Sequence, residues 1–424
     1  MRLSTLHLIS ATLLFSAVTL SALPVHETGL GVRSVGLSGA ATTSSCHDAV
    51  FSNPGGLAFM KQRYFFGGLS FIQQNATFSI DGRNTDDALR RFRFAPAGIT
   101  LPIPVDKGGL TFAFAFYRPY IFDDMINYTQ RFTDSHDTPV TVKRDYSTFG
   151  GLSYWSASAA LQVAPGLGIG CTFSFINGKE DTRFTFLRTD DGSITDTFSN
   201  DFHDHYSRTF KGFELRTGLL YRPIRRLRVG LRLTIPKFIQ FEESVSGFVP
   251  YDNREKSAYS YDTTGWLYTS LEAGAGVSYR SHFGTLFFDF HGRAPYTALH
   301  PNDDIPEGSD AARSKYGFST AIRTPYLKKI IAFSLGYSFD LYDTHRMVNR
   351  YKDADMPDWE ASVSKAAINI NGASVGITIE TGTAGFDAGY RLRMWRLDTE
   401  AAAGETVQEN RMLNEPVASI RWRF

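Results

Sequence analysis

The sequence is poor in cysteine and carries almost no net charge. It contains 2 Cys, too few for a disulfide framework, and neither Cys46 nor Cys171 stands where a lipid-attachment cysteine would follow a leader segment. We interpret both as small buried residues. The 44 basic and 43 acidic residues give a net charge of +1, which excludes the basic footprint typical of nucleic-acid-binding proteins. No nucleic acid is therefore expected as a partner.

Long apolar runs are absent after residue 22. A membrane-spanning helix needs about 18 consecutive apolar residues, so a helical membrane protein is excluded. The one long apolar run, residues 8–20, follows Arg2 and precedes the small residues Ser21 and Ala22. This arrangement is typical of a cleaved secretory signal peptide, which we predict over residues 1–22.

Aromatic residues and glycine, in contrast, are abundant, with 35 Phe, 20 Tyr and 37 Gly. In several segments apolar side chains occupy every second position, with smaller or more polar residues between them. The clearest of these segments are Leu110–Phe116, Leu167–Phe175 and Leu227–Ile235. Such alternation is typical of membrane strands that face lipid on one side and a polar lumen on the other. It predicts an all-β protein, a transmembrane antiparallel β-barrel.

The carboxy terminus has the same alternation and ends on an aromatic residue. One face carries Ala418, Ile420, Trp422 and Phe424, and the other carries Val417, Ser419, Arg421 and Arg423. This pattern is typical of the closing strand of an outer-membrane barrel, so we expect the barrel assembly machinery to be a partner during biogenesis.

The connections between the alternating segments are of two kinds. Six are short and contain turn residues: Pro102–Gly109, Ala164–Gly166, Arg222–Arg226, Arg280–Gly284, Thr324–Lys329 and Glu380–Gly385. Seven are long polar stretches, near 75–90, 118–145, 177–206, 238–263, 291–315, 341–366 and 397–415. Outer-membrane barrels alternate short periplasmic turns with long external loops. Thirteen such connections predict fourteen strands.

Residues 23–62 lack the alternation and are rich in small residues. The segments Gly29–Ala40 and Asp48–Ala58, with the triplet Asn53-Pro54-Gly55, resemble the amino-terminal hatch of FadL-type long-chain fatty acid transporters, where the triplet is Asn-Pro-Ala. An ordinary turn is the alternative interpretation of the triplet. The resemblance implies a hatch over residues 23–62 that plugs a barrel over residues 63–424. Gly55 departs from the family alanine, which implies a looser hatch or a missing side-chain contact.

The resemblance further implies an outer-membrane channel that admits long-chain fatty acids or other hydrophobic compounds by passive diffusion. In the family, ligand leaves sideways into the membrane lipid beside a kinked strand, and here the third strand, from Leu110 to Tyr117, is the candidate by order. Two alternatives remain: a general porin, and a structural or adhesin-type barrel that binds a partner through its loops.

Candidate ligand-binding residues are arginines on inward-facing positions and aromatic residues in one long polar stretch. They are Arg228, Arg232, Arg391, Phe238, Phe241 and Phe248. A desolvated arginine can pair with a ligand carboxylate, although a water-filled polar lumen explains inward arginines equally well. His203-Asp204-His205 offers metal-ligand types without a further ligand cluster. We predict no metal, cofactor or catalytic residue.

Overall fold

The computed structural model describes residues 31–80, 83–105, 108–133, 139–190, 200–251, 255–268, 271–293, 315–345, 365–400 and 406–424. The predicted signal peptide and residues 23–30 lie outside these ranges. The amino-terminal segment contains α1 (Val32–Val35), α2 (Ala49–Ser52) and a 3-10 helix (Pro54–Phe59). None of the helices in the described ranges has the length and apolar character that a membrane-spanning helix needs.

The remainder of the described chain forms one antiparallel sheet of seventeen strands. They are β1 (Tyr64–Ile80), β2 (Arg83–Ile103), β3 (Leu110–Ile121), β4 (Asp124–Thr133), β5 (Pro139–Ala164), β6 (Leu167–Asp190), β7 (Asn200–Ile224), β8 (Leu227–Thr234), β9 (Phe238–Tyr251), β10 (Glu255–Tyr268), β11 (Glu272–Arg280), β12 (Thr285–Arg293), β13 (Lys315–Arg323), β14 (Ile331–His345), β15 (Lys365–Glu380), β16 (Ala384–Glu400) and β17 (Thr406–Arg423).

Three barrel strands are each interrupted once, so the seventeen segments make fourteen barrel strands. β3 and β4 both pair with β5 in one register, since Ile121 lies opposite Gly151 and Asp124 opposite Thr148. In the same way, β8 and β9 both pair with β7. On their other side, β8 pairs with β11 and β9 pairs with β10. The predicted count of fourteen strands is confirmed.

The sheet closes on itself through β1. This strand pairs with β2 on one side and with β17 on the other, so that Tyr64 lies opposite both Thr100 and Arg423. Closure removes the free strand edges that would otherwise expose unpaired backbone groups to lipid. The predicted closed barrel is therefore confirmed.

The apolar side chains point outward, as the alternation predicts. On β3, Phe114 is 54% exposed on the outer surface, whereas its neighbour Ala113 is fully buried on the inner side. The same division holds on β17, where Ile420, Trp422 and Phe424 are exposed and Ser419 is buried. An outer belt of large apolar residues therefore surrounds the barrel, as a lipid environment requires.

The six short connections are confirmed as turns, but five of the seven predicted long loops are wrong. In these five regions the strands stay paired where loops were expected. In the β1–β2 hairpin the pairing continues to Ile80 opposite Arg83, and it continues in the same way in the hairpins β4–β5, β6–β7, β9–β10 and β16–β17. Strands such as β5, with 26 residues, exceed the 9–11 or so that a bilayer requires. Beyond the bilayer both faces of a strand are polar, so the apolar alternation ends although the backbone pairing continues. The other two predicted loops lie largely outside the described residues.

Deletion of Phe424 should lower the amount of assembled barrel in the outer membrane. Its side chain is 57% exposed at the end of the closing strand, so its loss costs the folded barrel little packing. Together with Trp422, Phe424 forms an alternating aromatic pattern at the carboxy terminus, and this pattern resembles the signal that the barrel assembly machinery reads. The measurement is the amount of heat-modifiable, protease-resistant protein in outer-membrane fractions. Unchanged amounts would contradict this role.

Candidate functional site

The amino-terminal segment is enclosed by strands on several sides. None of residues 31–60 is exposed. The Asn53 amide donates to the carbonyl oxygens of Thr42 (2.7 Å) and of Leu219 on β7 (2.9 Å), and its Oδ1 accepts the N–H of Gly55 (3.1 Å). Because every polar atom of this fully buried side chain has a partner, Asn53 fixes the segment both to itself and to the wall.

Pro54 and Gly55 lie directly against the backbone of β6 and β7. A Cβ added at Gly55 would lie 2.8 Å from the carbonyl oxygen of Gly218 and 2.9 Å from the Cα of Leu219. The glycine therefore permits close approach, and the expectation of a looser hatch at this position is wrong. Further inward glycines leave similar room for the segment elsewhere around the wall: Gly168, Gly170, Gly230, Gly336 and Gly376.

Ion pairs attach the same segment to the far side of the barrel. The Arg33 guanidinium contacts Glu380 at 2.6 Å and Asp387 at 2.9 Å, and Arg421 also contacts Asp387 at 2.7 Å. On a third side, the backbone N–H of Thr42 donates to the Asp289 carboxylate at 2.6 Å. The segment is thus held by β7, β12, β15 and β16 together.

A gap interrupts the otherwise closed wall between β2 and the strand formed by β3 and β4. β2 pairs with β3 only where residues 97–103 lie opposite residues 110–116. Within the described residues, no backbone ladder joins residues 83–96 to residues 117–133, although β2 pairs with β1 and β4 with β5 along this stretch. We call this unpaired stretch the lateral gap. It coincides with the interruption at residues 122–123 between β3 and β4, which lies just beyond the segment that the sequence favoured.

Polar side chains bridge the lateral gap. Arg91 Nη1 lies 3.2 Å from Asp123 Oδ1, and the same oxygen accepts the backbone N–H of Gly150 at 2.8 Å. Further along, the backbone N–H of Asn127 donates to the Asp87 carboxylate at 3.1 Å. On the outer edge of β2, Phe92 and Phe94 are 82% and 78% exposed. A few side-chain contacts therefore replace a continuous ladder, and these can break without unfolding the wall.

Aromatic side chains line the interior behind the lateral gap. Phe122 packs against Phe210 with tilted rings whose centroids lie 5.5 Å apart, and the Phe210 ring centroid in turn lies 6.5 Å from that of Phe241. Deeper in the barrel, the rings of Tyr117 and Tyr154 lie 5.2 Å apart. This side of the lumen is apolar and continuous with the core that packs against the amino-terminal segment.

A buried group of three charges lies beneath these aromatic rings. Glu214 is contacted by Lys237 at 2.9 Å and by Arg216 at 2.8 Å, and we call these three residues the ion cluster. Lys237 also donates to the Tyr120 hydroxyl at 2.9 Å, and Arg216 donates to the carbonyl oxygen of Phe51. One buried carboxylate thus receives two cations, each of which also donates to a neighbouring oxygen. None of these three residues was predicted from the sequence, although Glu214 and Arg216 lie two positions apart and share one face of β7.

The predicted ligand-binding residues are dispersed around the barrel. Arg228 donates to Ser45 of the amino-terminal segment at 3.2 Å, and Arg391 is paired with Glu415, to which its Nε donates at 3.0 Å. Arg232 faces inward, beside Gly274. None of these three belongs to the ion cluster.

Of the two predicted aromatic residues whose side chains the structure describes, Phe241 faces the lumen and Phe238 does not. Phe238 is 40% exposed on the outer surface of a strand and does not lie in a loop. The interruption at residues 235–237 shifts the alternation, which makes Lys237 and Phe241 face inward and Phe238 outward. The backbone of Phe248 pairs with His203, but its side chain lies outside the described residues.

The cysteines and histidines differ from expectation in one respect. Cys171 is exposed on the outer face of β6, so its assignment as buried is wrong, whereas Cys46 is partly buried. His203 contacts Thr185 at 3.1 Å and His205 contacts Asp181 at 3.1 Å. Within the described ranges, the group with metal-ligand spacing is instead Cys46, His47 and Asp48.

Solved structures with the same architecture include a FadL homologue and toluene transporters. No protein-family model and no curated protein sequence matches this chain. A Pseudomonas aeruginosa FadL homologue superposes with a TM-score of 0.63 at 11% identity, over 95% of this chain and 100% of that one. The P. putida toluene transporter TodX superposes with a TM-score of 0.62 at 10% identity, over 94% of this chain and 99% of that one. The Ralstonia pickettii toluene transporter TbuX superposes with a TM-score of 0.51 at 14% identity, over 94% of this chain and 99% of that one. The chain therefore has the FadL-type fold.

Proposed function

We propose that this chain is an outer-membrane channel for the uptake of hydrophobic compounds, long-chain fatty acids among them, by passive diffusion and lateral release. The observation that carries the proposal is the lateral gap in an otherwise closed barrel. An acyl chain gains about 0.8 kcal/mol for each methylene that leaves water, so it will not diffuse through a water-filled pore. A side exit lets it pass from apolar lumen to lipid without that cost.

In this proposal the segment of residues 23–62 is a plug that blocks the direct path along the barrel axis. Its described part is enclosed and tied to several strands, among them β7 through Asn53 and β15 through Arg33. A ligand that enters among the aromatic rings of Phe210 and Phe241 meets this plug and is diverted toward the lateral gap. No covalent chemistry is involved.

The ion cluster is proposed to attract the acidic head group of such a ligand. Lys237 and Arg216 supply charged donors in a low-dielectric site, where a ligand carboxylate can take the place of Glu214 and a neutral hydrocarbon cannot. The cluster is buried in the present conformation, so the ligand must displace the rings above it. Tyr120 accepts a hydrogen bond from Lys237, and Phe122 lies at the interruption between β3 and β4, so these are the side chains expected to move.

The general porin is the main rival, and it is disfavoured because residues 31–60 are enclosed by the barrel and tied to strands on several sides. An adhesin-type barrel would bind its partner with the projecting hairpins and has no use for a gap in its wall.

Binding of fatty acids should strengthen with chain length until the apolar site is full. Each added methylene should tighten binding about fourfold, which corresponds to about 0.8 kcal/mol. The measurements are binding of fluorescent or radiolabelled fatty acids to purified protein and uptake by a strain that lacks its own transporter. Small sugars serve as the control solutes. Affinity that is indifferent to chain length, together with sugar uptake, would replace this proposal with the porin.

A further inference from the structure

The end of the barrel that carries the six short turns, here called the turn end, has a strongly one-sided charge. Within the described residues, the exposed charged side chains at this end are all basic: Lys61, Arg63, Arg225, Arg226, Arg280, Lys328 and Lys329. The nearby acid Glu380 is partly buried and paired with Arg33. Because the whole chain has a net charge of only +1, this basic surface is balanced by acidic residues elsewhere. The turn end therefore presents a positive surface that the net charge conceals.

Exposed apolar side chains stand next to these basic residues in the same turns. Ile224 precedes Arg225, Phe283 follows Arg280 at a short distance, and Leu327 and Ile330 flank the two lysines. Phe283 is 86% exposed. These apolar residues continue the outer belt through neighbouring exposed side chains such as Leu286. Basic and apolar groups side by side are what the headgroup region of a membrane stabilises.

The two lysines adopt a backbone conformation that their residue type disfavours. Lys328 and Lys329 have φ angles of +48° and +61°, in the left-handed region. They form the tip of a tight turn in which the N–H of Ile330 donates to the carbonyl oxygen of Leu327. Turns with two such residues strongly favour Asn-Gly. Strained backbone of this kind is concentrated at binding sites, and here it displays two adjacent ammonium groups.

We propose that the turn end binds the phosphate headgroups of anionic phospholipids in the leaflet that it meets. The basic residues contact the phosphates, and the flanking apolar residues insert among the upper parts of the acyl chains. A soluble acidic protein would match the charge alone, but it would leave Phe283, Leu327 and Ile330 without an apolar environment. The proposal depends on membrane insertion of the barrel and not on what the lumen carries.

The test compares lipids that remain bound to the purified barrel. The protein is reconstituted in nanodiscs of equal parts phosphatidylcholine and phosphatidylglycerol and extracted with mild detergent, and the retained lipids are quantified by mass spectrometry. The native protein should retain more phosphatidylglycerol than phosphatidylcholine, and the excess should decline with added salt because exposed charges are screened. Equal retention of the two lipids at low salt would overturn the proposal.

A variant that relaxes the turn separates binding from folding. Lys328→Asn with Lys329→Gly, combined with Arg225→Gln and Arg226→Gln, should lose most of the excess. Its thermal stability should not fall, since Asn-Gly suits the backbone. The matched control also removes four positive charges, at exposed basic residues on β6, β7 and β16 away from the turn end, and it should retain the excess: Lys179→Gln, Arg183→Gln, Lys211→Gln and Arg396→Gln. Equal loss in both variants would indicate a general charge effect and would also overturn the proposal.

Discussion

A disulfide across the lateral gap should abolish uptake of hydrophobic compounds, and reduction should restore it. The backbone N–H of Asn127 donates to the Asp87 side chain at 3.1 Å, so these two positions face each other across the gap. Asp87→Cys with Asn127→Cys, in a background of Cys46→Ser and Cys171→Ser, provides the pair. The covalent bond would close an opening that otherwise has only side-chain contacts. Uptake of radiolabelled fatty acid with and without reductant measures the effect.

The matched control is a disulfide where the strands are already paired. Thr77 on β1 donates to Asp86 on β2 at 2.7 Å, at nearly the same level of the barrel. Thr77→Cys with Asp86→Cys should cross-link without a loss of uptake, because it adds nothing to a wall that is already closed. Normal uptake by the cross-linked Asp87–Asn127 variant would contradict lateral release. Loss of uptake in both would show that any cross-link in these hairpins impairs the channel.

The strand number was predictable from the sequence because its signals are local. Apolar alternation identifies each membrane segment, and turn residues such as Gly166 and Gly284 mark the short connections. Both signals are independent of distant parts of the chain. The predicted loops failed for the same reason, since alternation of apolar residues reports the bilayer and not the strand, which continues beyond it.

An opening beside the third strand was expected only from the family resemblance, and its position could not be read from the residues because it depends on how two strands lie relative to each other. β2 and the strand containing β3 and β4 have ordinary strand sequences, and only their register shows that residues 83–96 are unpaired on one side. The face of Phe238 depends on the interruption at residues 235–237, which shifts the alternation by one residue. Pro236 marks the place, but a proline alone does not specify the shift.

The role of Gly55 was likewise hidden, since the atoms that exclude a side chain there belong to Gly218 and Leu219, more than a hundred and sixty positions away. From the triplet alone, a glycine in place of alanine indicates a looser hatch. From the packed structure, it indicates that the plug and the wall are in backbone contact. The same residue therefore leads to opposite expectations for a substitution.

Gly55→Ala should displace the plug from the wall and open the barrel to small polar solutes, although it recreates the Asn-Pro-Ala triplet of the FadL family. The added Cβ would lie within 2.9 Å of three backbone atoms of Gly218 and Leu219, which cannot rotate away as a side chain can. Overpacking of this kind costs about 1–3 kcal/mol, which is comparable to the hydrogen bond by which Asn53 holds this part of the segment to β7. Gly55→Val should have a larger effect.

Conductance in planar bilayers and uptake of small sugars measure the opening, and heat modifiability checks that the barrel still assembles. Gly382→Ala is the matched control, because a Cβ there meets no atom within 4 Å. The control should behave as the native protein does. A tight barrel in the Gly55 variants would contradict the plug, because the lumen would then be closed by something other than contact between this segment and the wall.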